Sequence, residues 1–118
     1  MNGLETRYLH YETGKSEVTI PRKSLKVISF NWKHKDHVFL VIREVDGQKG
    51  LFLSKEVEGH MTRYLYYRKT NKSAVTIPRA ILEANNMDWN NGDTVILVFK
   101  EIDGKKGLFL RKKERNES

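Results

Sequence analysis

Apolar and polar residues alternate along this chain in short runs, and the runs come in pairs. The order is clearest from residue 62 onward. TRYLYYRK (62–69) is rich in aromatic residues, which favour strands, and residues 70–73 read as a turn. AVTIP (74–78) is a short β-branched strand, so the two runs predict a hairpin. Pro78 closes that strand, because it has no N–H to give to a ladder, and it suits the first turn of a helix. RAILEANNM (79–87) predicts that helix, short, with Ile81, Leu82 and Met87 facing inward. Asn90, Asn91, Gly92 and Asp93 break it. TVILVFKEI (94–102) then predicts a strongly apolar strand, residues 103–107 a hairpin loop, and GLFLRKK (107–113) the returning strand.

The same order occurs earlier in the chain. VTIPR stands at 18–22 and again at 75–79, an offset of 57. DHVFLVIREVDGQKGLFLSK from Asp36 aligns with DTVILVFKEIDGKKGLFLRK from Asp93, and Trp32 and Leu25 align with Trp89 and Leu82. TRYLHY (6–11) matches TRYLYY (62–67) at an offset of 56, so the second copy has one extra residue before Lys72. The chain is thus two β-β-α-β-β repeats, 1–58 and 59–118, in a mostly β protein with short helices. In the first copy Ser24, Lys26 and Ser29 replace Ile81, Glu83 and Asn86, and Lys35 replaces Gly92. These changes predict a shorter or displaced first helix. A unit of about 57 residues buries only a marginal core by itself. Solenoid repeats need three or more copies, whereas two related units can complete one core around a pseudo-two-fold axis. Pairing within one chain and pairing between chains both remain open, as does further homo-oligomerisation.

The stretch K-x-x-V-T-I-P-x-x-I/L, followed by a short helix, a Gly-Asp turn and an apolar hairpin, resembles the SpoVT/AbrB superfamily of swapped-hairpin DNA-binding domains. The second copy carries the pattern through Lys72, Val75, Thr76, Ile77, Pro78, Ile81, Gly92 and Asp93. The first carries it through Lys15, Val18, Thr19, Ile20, Pro21, Leu25 and Asp36, without the glycine. The resemblance covers about residues 6–56 and 62–113. It implies interleaved hairpins, here as a single-chain pseudo-dimer, and a cytoplasmic regulator of transcription whose partner is duplex DNA. It places the DNA-binding cations on the first hairpin and helix start of each copy. These are Arg7, Lys15, Arg22 and Lys23, then Arg63, Arg68, Lys69, Lys72 and Arg79. Glu17 and Ala74 depart from the family at a position often polar or basic there. Antitoxin-like members also bind a partner protein, so a protein-interaction module is the alternative reading.

Charge points the same way without the family. The 22 Lys and Arg outnumber 15 Asp and Glu, a formal net of +7. Residues 1–60 carry 10 basic and 8 acidic side chains, and residues 61–118 carry 12 and 7. From 61 to 82 there are five basic residues, no acidic one, and Tyr64, Tyr66 and Tyr67 between them. Lys and Arg displace the counterions of a phosphate backbone, and tyrosines hydrogen-bond or stack there. That half-by-half count predicts that the second copy carries more of the affinity. Tyrosines among cations also suit single-stranded nucleic acid. The tail RKKERNES has mixed charge and reads as a frayed end.

Other chemistry finds little support. There is no cysteine, which removes disulfides, zinc ribbons and thiol catalysis. No apolar run approaches the roughly 18 residues of a membrane span, and MNGLETRYLH is not patterned as a signal peptide. His34 and His37 have metal-compatible spacing, but no further ligand completes a site with them, His10 or His60. Asp46-Gly47 and Asp103-Gly104 read as hairpin turns, Asp36 and Asp93 as turn caps, and Trp32 and Trp89 as core plugs. The LFL triplets (51–53, 108–110) read as core strand with Phe on the opposite face. No catalytic constellation or cofactor motif is visible, so the chain reads as a binding protein rather than an enzyme.

Overall fold

The computed structural model describes residues 3–27 and 30–114 of the chain. Ser29 of the repeat comparison and the end of the tail lie outside the described residues. The elements run β1 (Leu4–His10), β2 (Ser16–Thr19), α1 (Arg22–Val27), β3 (His37–Val45), β4 (Gln48–Ser54), β5 (His60–Tyr67), β6 (Lys72–Thr76), α2 (Arg79–Ala84), β7 (Thr94–Ile102) and β8 (Lys105–Lys112). The protein is therefore mostly β, with two short helices. Both Asp-Gly pairs form their expected turns: φ is 51° and 79° at Asp46 and Gly47, and 52° and 78° at Asp103 and Gly104. Two consecutive positive φ values give a turn whose twist matches the flanking strands.

The eight strands close into one barrel in the order β1-β2-β6-β5-β3-β4-β8-β7. Each repeat makes its own hairpins, yet the first hairpin of each attaches to the other repeat. β1 lies antiparallel on β7, with Thr6 opposite Val95, and β5 lies on β3, with Val38 opposite Thr62. Where the repeats meet directly, residues face their own counterparts: Val18 pairs with Val75 between β2 and β6, and Phe52 with Phe109 between β4 and β8. Side chains lock these seams. Ser16 Oγ donates to the Ile77 carbonyl and Ser73 Oγ to the Ile20 carbonyl. Among the described residues no sheet edge is left free, and each of these strands has two neighbours.

The core fills the barrel. Tyr8, Val18, Ile20, Leu51, Leu53, Tyr64, Val75, Ile77, Leu82, Leu108 and Leu110 are all fully buried and packed together. Trp32 and Trp89 are buried with them, each edge-on to a tyrosine of the other repeat: Trp89 to Tyr8 at 5.6 Å, Trp32 to Tyr64 at 5.8 Å. The central Phe of each LFL triplet points outward. Its ring lies over a glycine of the facing strand, Phe52 over Gly107 and Phe109 over Gly50. Helices this short are not stable alone. α1 and α2 are held by Leu25 and Leu82, which are buried in the core. Both run for six residues, so the polar replacements in the first copy do not shorten its helix.

Candidate nucleic-acid interface

The cations gather around Tyr66. The chain enters α1 through Pro21, and Arg22 turns back so that its guanidinium lies 3.9 Å over the Tyr66 ring. Arg22 Nη1 also donates to the Tyr64 hydroxyl at 3.1 Å. The loop after Trp32 reaches the same strand: the Lys35 N–H donates to the Tyr64 carbonyl at 2.8 Å, and the Tyr66 N–H donates to His34 Nδ1 at 2.9 Å. Beyond Tyr66 lies the β5–β6 tip, where the Tyr66 hydroxyl meets Asn71 Oδ1 at 3.0 Å and Tyr67 pairs with Lys72. One end of the barrel is therefore built from α1 and loop 33–36 of the first repeat and a hairpin tip of the second. The pairing of β5 with β3 makes that meeting possible.

The opposite end is built from the counterpart segments by three matching contacts. Arg79 Nη1 donates to the Tyr8 hydroxyl at 3.1 Å, the Gly92 N–H to the Tyr8 carbonyl at 2.8 Å, and the His10 N–H to Asn91 Oδ1 at 2.9 Å. The geometry is shared but the charge is not. Segments 22–26, 33–36 and 67–72 hold Arg22, Lys23, Lys26, Lys33, Lys35, Arg68, Lys69 and Lys72 against Asp36 alone, a net of +7. Their counterparts, 79–83, 90–93 and 11–15, hold Arg79 and Lys15 against Glu12, Glu83 and Asp93, a net of −1. Lys23, Lys26, Lys33, Lys35, Arg68 and Lys69 are exposed, and among the described residues none has an ion pair within 4.0 Å.

The cations expected from the sequence thus divide between two places. Arg22, Lys23, Arg68, Lys69 and Lys72 come together at the cationic end. Arg63 is exposed on its flank, opposite His37 of β3. Arg7 and Lys15 are exposed on the other side, where Arg7 Nη1 approaches the Gly92 carbonyl at 3.4 Å. Arg79 is committed to the fold: it donates to Tyr8 and to the Trp89 carbonyl, and its Nε faces Glu83 at 3.4 Å without hydrogen-bond geometry. The Tyr8 hydrogen bond pushes its pKa further up, so it stays charged. Sequence reasoning missed Lys26, Lys33 and Lys35. Lys26 and Lys35 were visible as basic replacements for Glu83 and Gly92, but they read as wear in a degenerate copy.

Two acids shape the surface. Asp36 accepts from the Lys33 N–H at 2.7 Å and pairs with Lys55 at 2.6 Å. The Lys55 hydrogen bond, then the Lys33 N–H, hold its carboxyl below the ordinary value. Its counterpart Asp93 caps its turn in the same way, through the Asn90 N–H at 2.7 Å. Glu17 points out from the middle of β2 yet is only 3% exposed. The Tyr11 hydroxyl donates to it at 3.2 Å, and Lys72 approaches it at 3.9 Å. Burial first, and Glu17 second, raise the Tyr11 pKa. Glu17 stands in the place of Ala74, so one of the two positions that depart from the family pattern restrains a cation of the candidate interface.

Among the described residues no group of three or more His, Cys, Asp or Glu side chains is arranged to hold a metal ion. No helix among them is long and apolar enough to cross a membrane. Comparison of the chain with protein-family models, curated proteins and solved structures gives no match.

Proposed function

We propose that this protein binds duplex DNA through the cationic end, as a transcriptional regulator built as a single-chain pseudo-dimer of the SpoVT/AbrB swapped-hairpin type. The observation that carries the DNA reading is that segments 22–26, 33–36 and 67–72, which meet at one end of the barrel, hold eight basic side chains and one acid. Basic groups without internal partners are free to neutralise phosphates, and the release of condensed counterions drives such binding. The pseudo-dimer reading is supported by each first hairpin pairing with the other repeat and by the self-pairing of Val18 with Val75 and Phe52 with Phe109. Fluorescence titration of a labelled duplex across salt concentrations tests the function. Neutralising about six phosphates gives a log–log slope near −5. Retention that is absent, or indifferent to salt, would refute the proposal.

A further inference from the structure

In a symmetric dimer of this architecture both ends are the same, and DNA would meet both. Here the two ends have one geometry and opposite chemistry. The contacts that join the elements at the cationic end have counterparts at the other: Arg22 with Tyr64 and Arg79 with Tyr8, Lys35 with Tyr64 and Gly92 with Tyr8. The cations have been kept or gained on one side only. Lys23, Lys33, Lys35, Arg68 and Lys69 stand where the opposite end has Ala80, Asn90, Gly92, Glu12 and Thr13. Lys26 stands where the opposite end has Glu83, which pairs with Arg79 at 3.4 Å.

We infer that the chain engages duplex DNA with a fixed polarity, through the Tyr66 end alone, on a site without two-fold symmetry. This rests on the DNA-binding reading and adds to it the class of site: one half-site rather than a palindrome. Three residues outside the family's DNA-binding set, Lys26, Lys33 and Lys35, join the grip. The other end, with Glu12 and Glu83 exposed, repels the backbone and stays in solvent.

Amide chemical shifts of the full chain, followed while a duplex is added, test the inference. Polarity requires perturbations at 22–26, 33–37 and 63–72 with none of comparable size at 11–15, 79–83 and 90–93. Shifts of similar size at both ends, or a cleavage footprint with dyad symmetry, would overturn polarity and leave DNA binding intact. No shifts at all would overturn both. Charge removal gives a second readout. Lys23→Ala, Lys33→Asn and Lys35→Gly install the residues that the other end already carries, so the fold tolerates them. Together they should lower the salt slope by about 3 and the affinity at low salt by 100-fold or more. A loss under threefold would overturn the role of these lysines.

Discussion

Lys35 shows how one residue serves two ends that conflict. Its φ of 72° lies in the left-handed region, where its counterpart Gly92 has 89°. A side chain there costs about 1 kcal/mol. The proposed interface gains a cation from it. Lys35→Gly should therefore stabilise the protein by about 1 kcal/mol, a rise in Tm of about 3–6 °C, while weakening DNA binding. Thermal unfolding beside the binding titration checks the split, and a variant no more stable than the parent would contradict the strain. Asp36 makes a pH prediction at the same scale. Its folded pKa lies below the unfolded value, so its contribution is full above that value and lost as pH falls through the folded one. Urea midpoints of parent and Asp36→Asn should differ most near neutral pH and converge as the pH falls below the ordinary aspartate value and through the lower folded one. A gap that persists unchanged in acid would sink the assignment.

Among the elements, the hairpins hold each other through tight backbone approach and a few polar locks. A Cβ on Gly107 would come within 2.3 Å of the Leu53 carbonyl and 2.8 Å of the Phe52 ring. Neither can move without opening the β4–β8 seam. Gly107→Ala should cost about 2–4 kcal/mol by denaturant unfolding, far more than a surface substitution. The tyrosines at the two ends should respond unequally. Tyr64→Phe removes one hydrogen bond from Arg22, which keeps the Tyr66 ring, and should cost about 1 kcal/mol. Tyr8→Phe deprives Arg79, which is half-buried with an unsatisfied Nε, and should cost about 2 kcal/mol. Equal losses would mean that Arg79 finds another partner.

For the whole molecule, β1 pairs with β7 and β5 with β3, so neither half contains all the strand partners it uses. Residues 59–118 alone would lack β3 for β5 and β1 for β7, but they retain the segments that pair with their own counterparts. Expressed alone, this half should form a homodimer or remain unfolded, since a unit this small does not close its own core. Light-scattering mass with circular dichroism decides it; a folded monomer would contradict the pseudo-dimer reading. Such a homodimer would carry the β5–β6 cations twice but would have Asn90, Asn91 and Gly92 beside each of them, never the Lys33–Lys35 loop.

Repetition and local pattern were enough to read the strands, the Asp-Gly turns, the buried Trp32 and Trp89 and the outward Phe of each LFL triplet, because these follow from neighbours in the chain. The same local logic put Arg68, Lys69 and Lys72 on the first hairpin of the second copy, though it ran the strand to residue 69 where β5 ends at Tyr67 and set the turn at 70–73 where β6 already begins at Lys72. It also counted charge by halves and assigned the weaker part to the first copy. That division follows the chain, whereas each end of the barrel combines segments of both halves. Folding carries α1 and loop 33–36 of the first repeat onto β5 of the second, through hydrogen bonds of Lys35, His34 and Arg22 to residues some 30 to 40 positions away. Electrostatic potential depends on distance through the molecule rather than along the chain. Which cations act together, and which end of the barrel they charge, was thus decided only when the hairpins crossed.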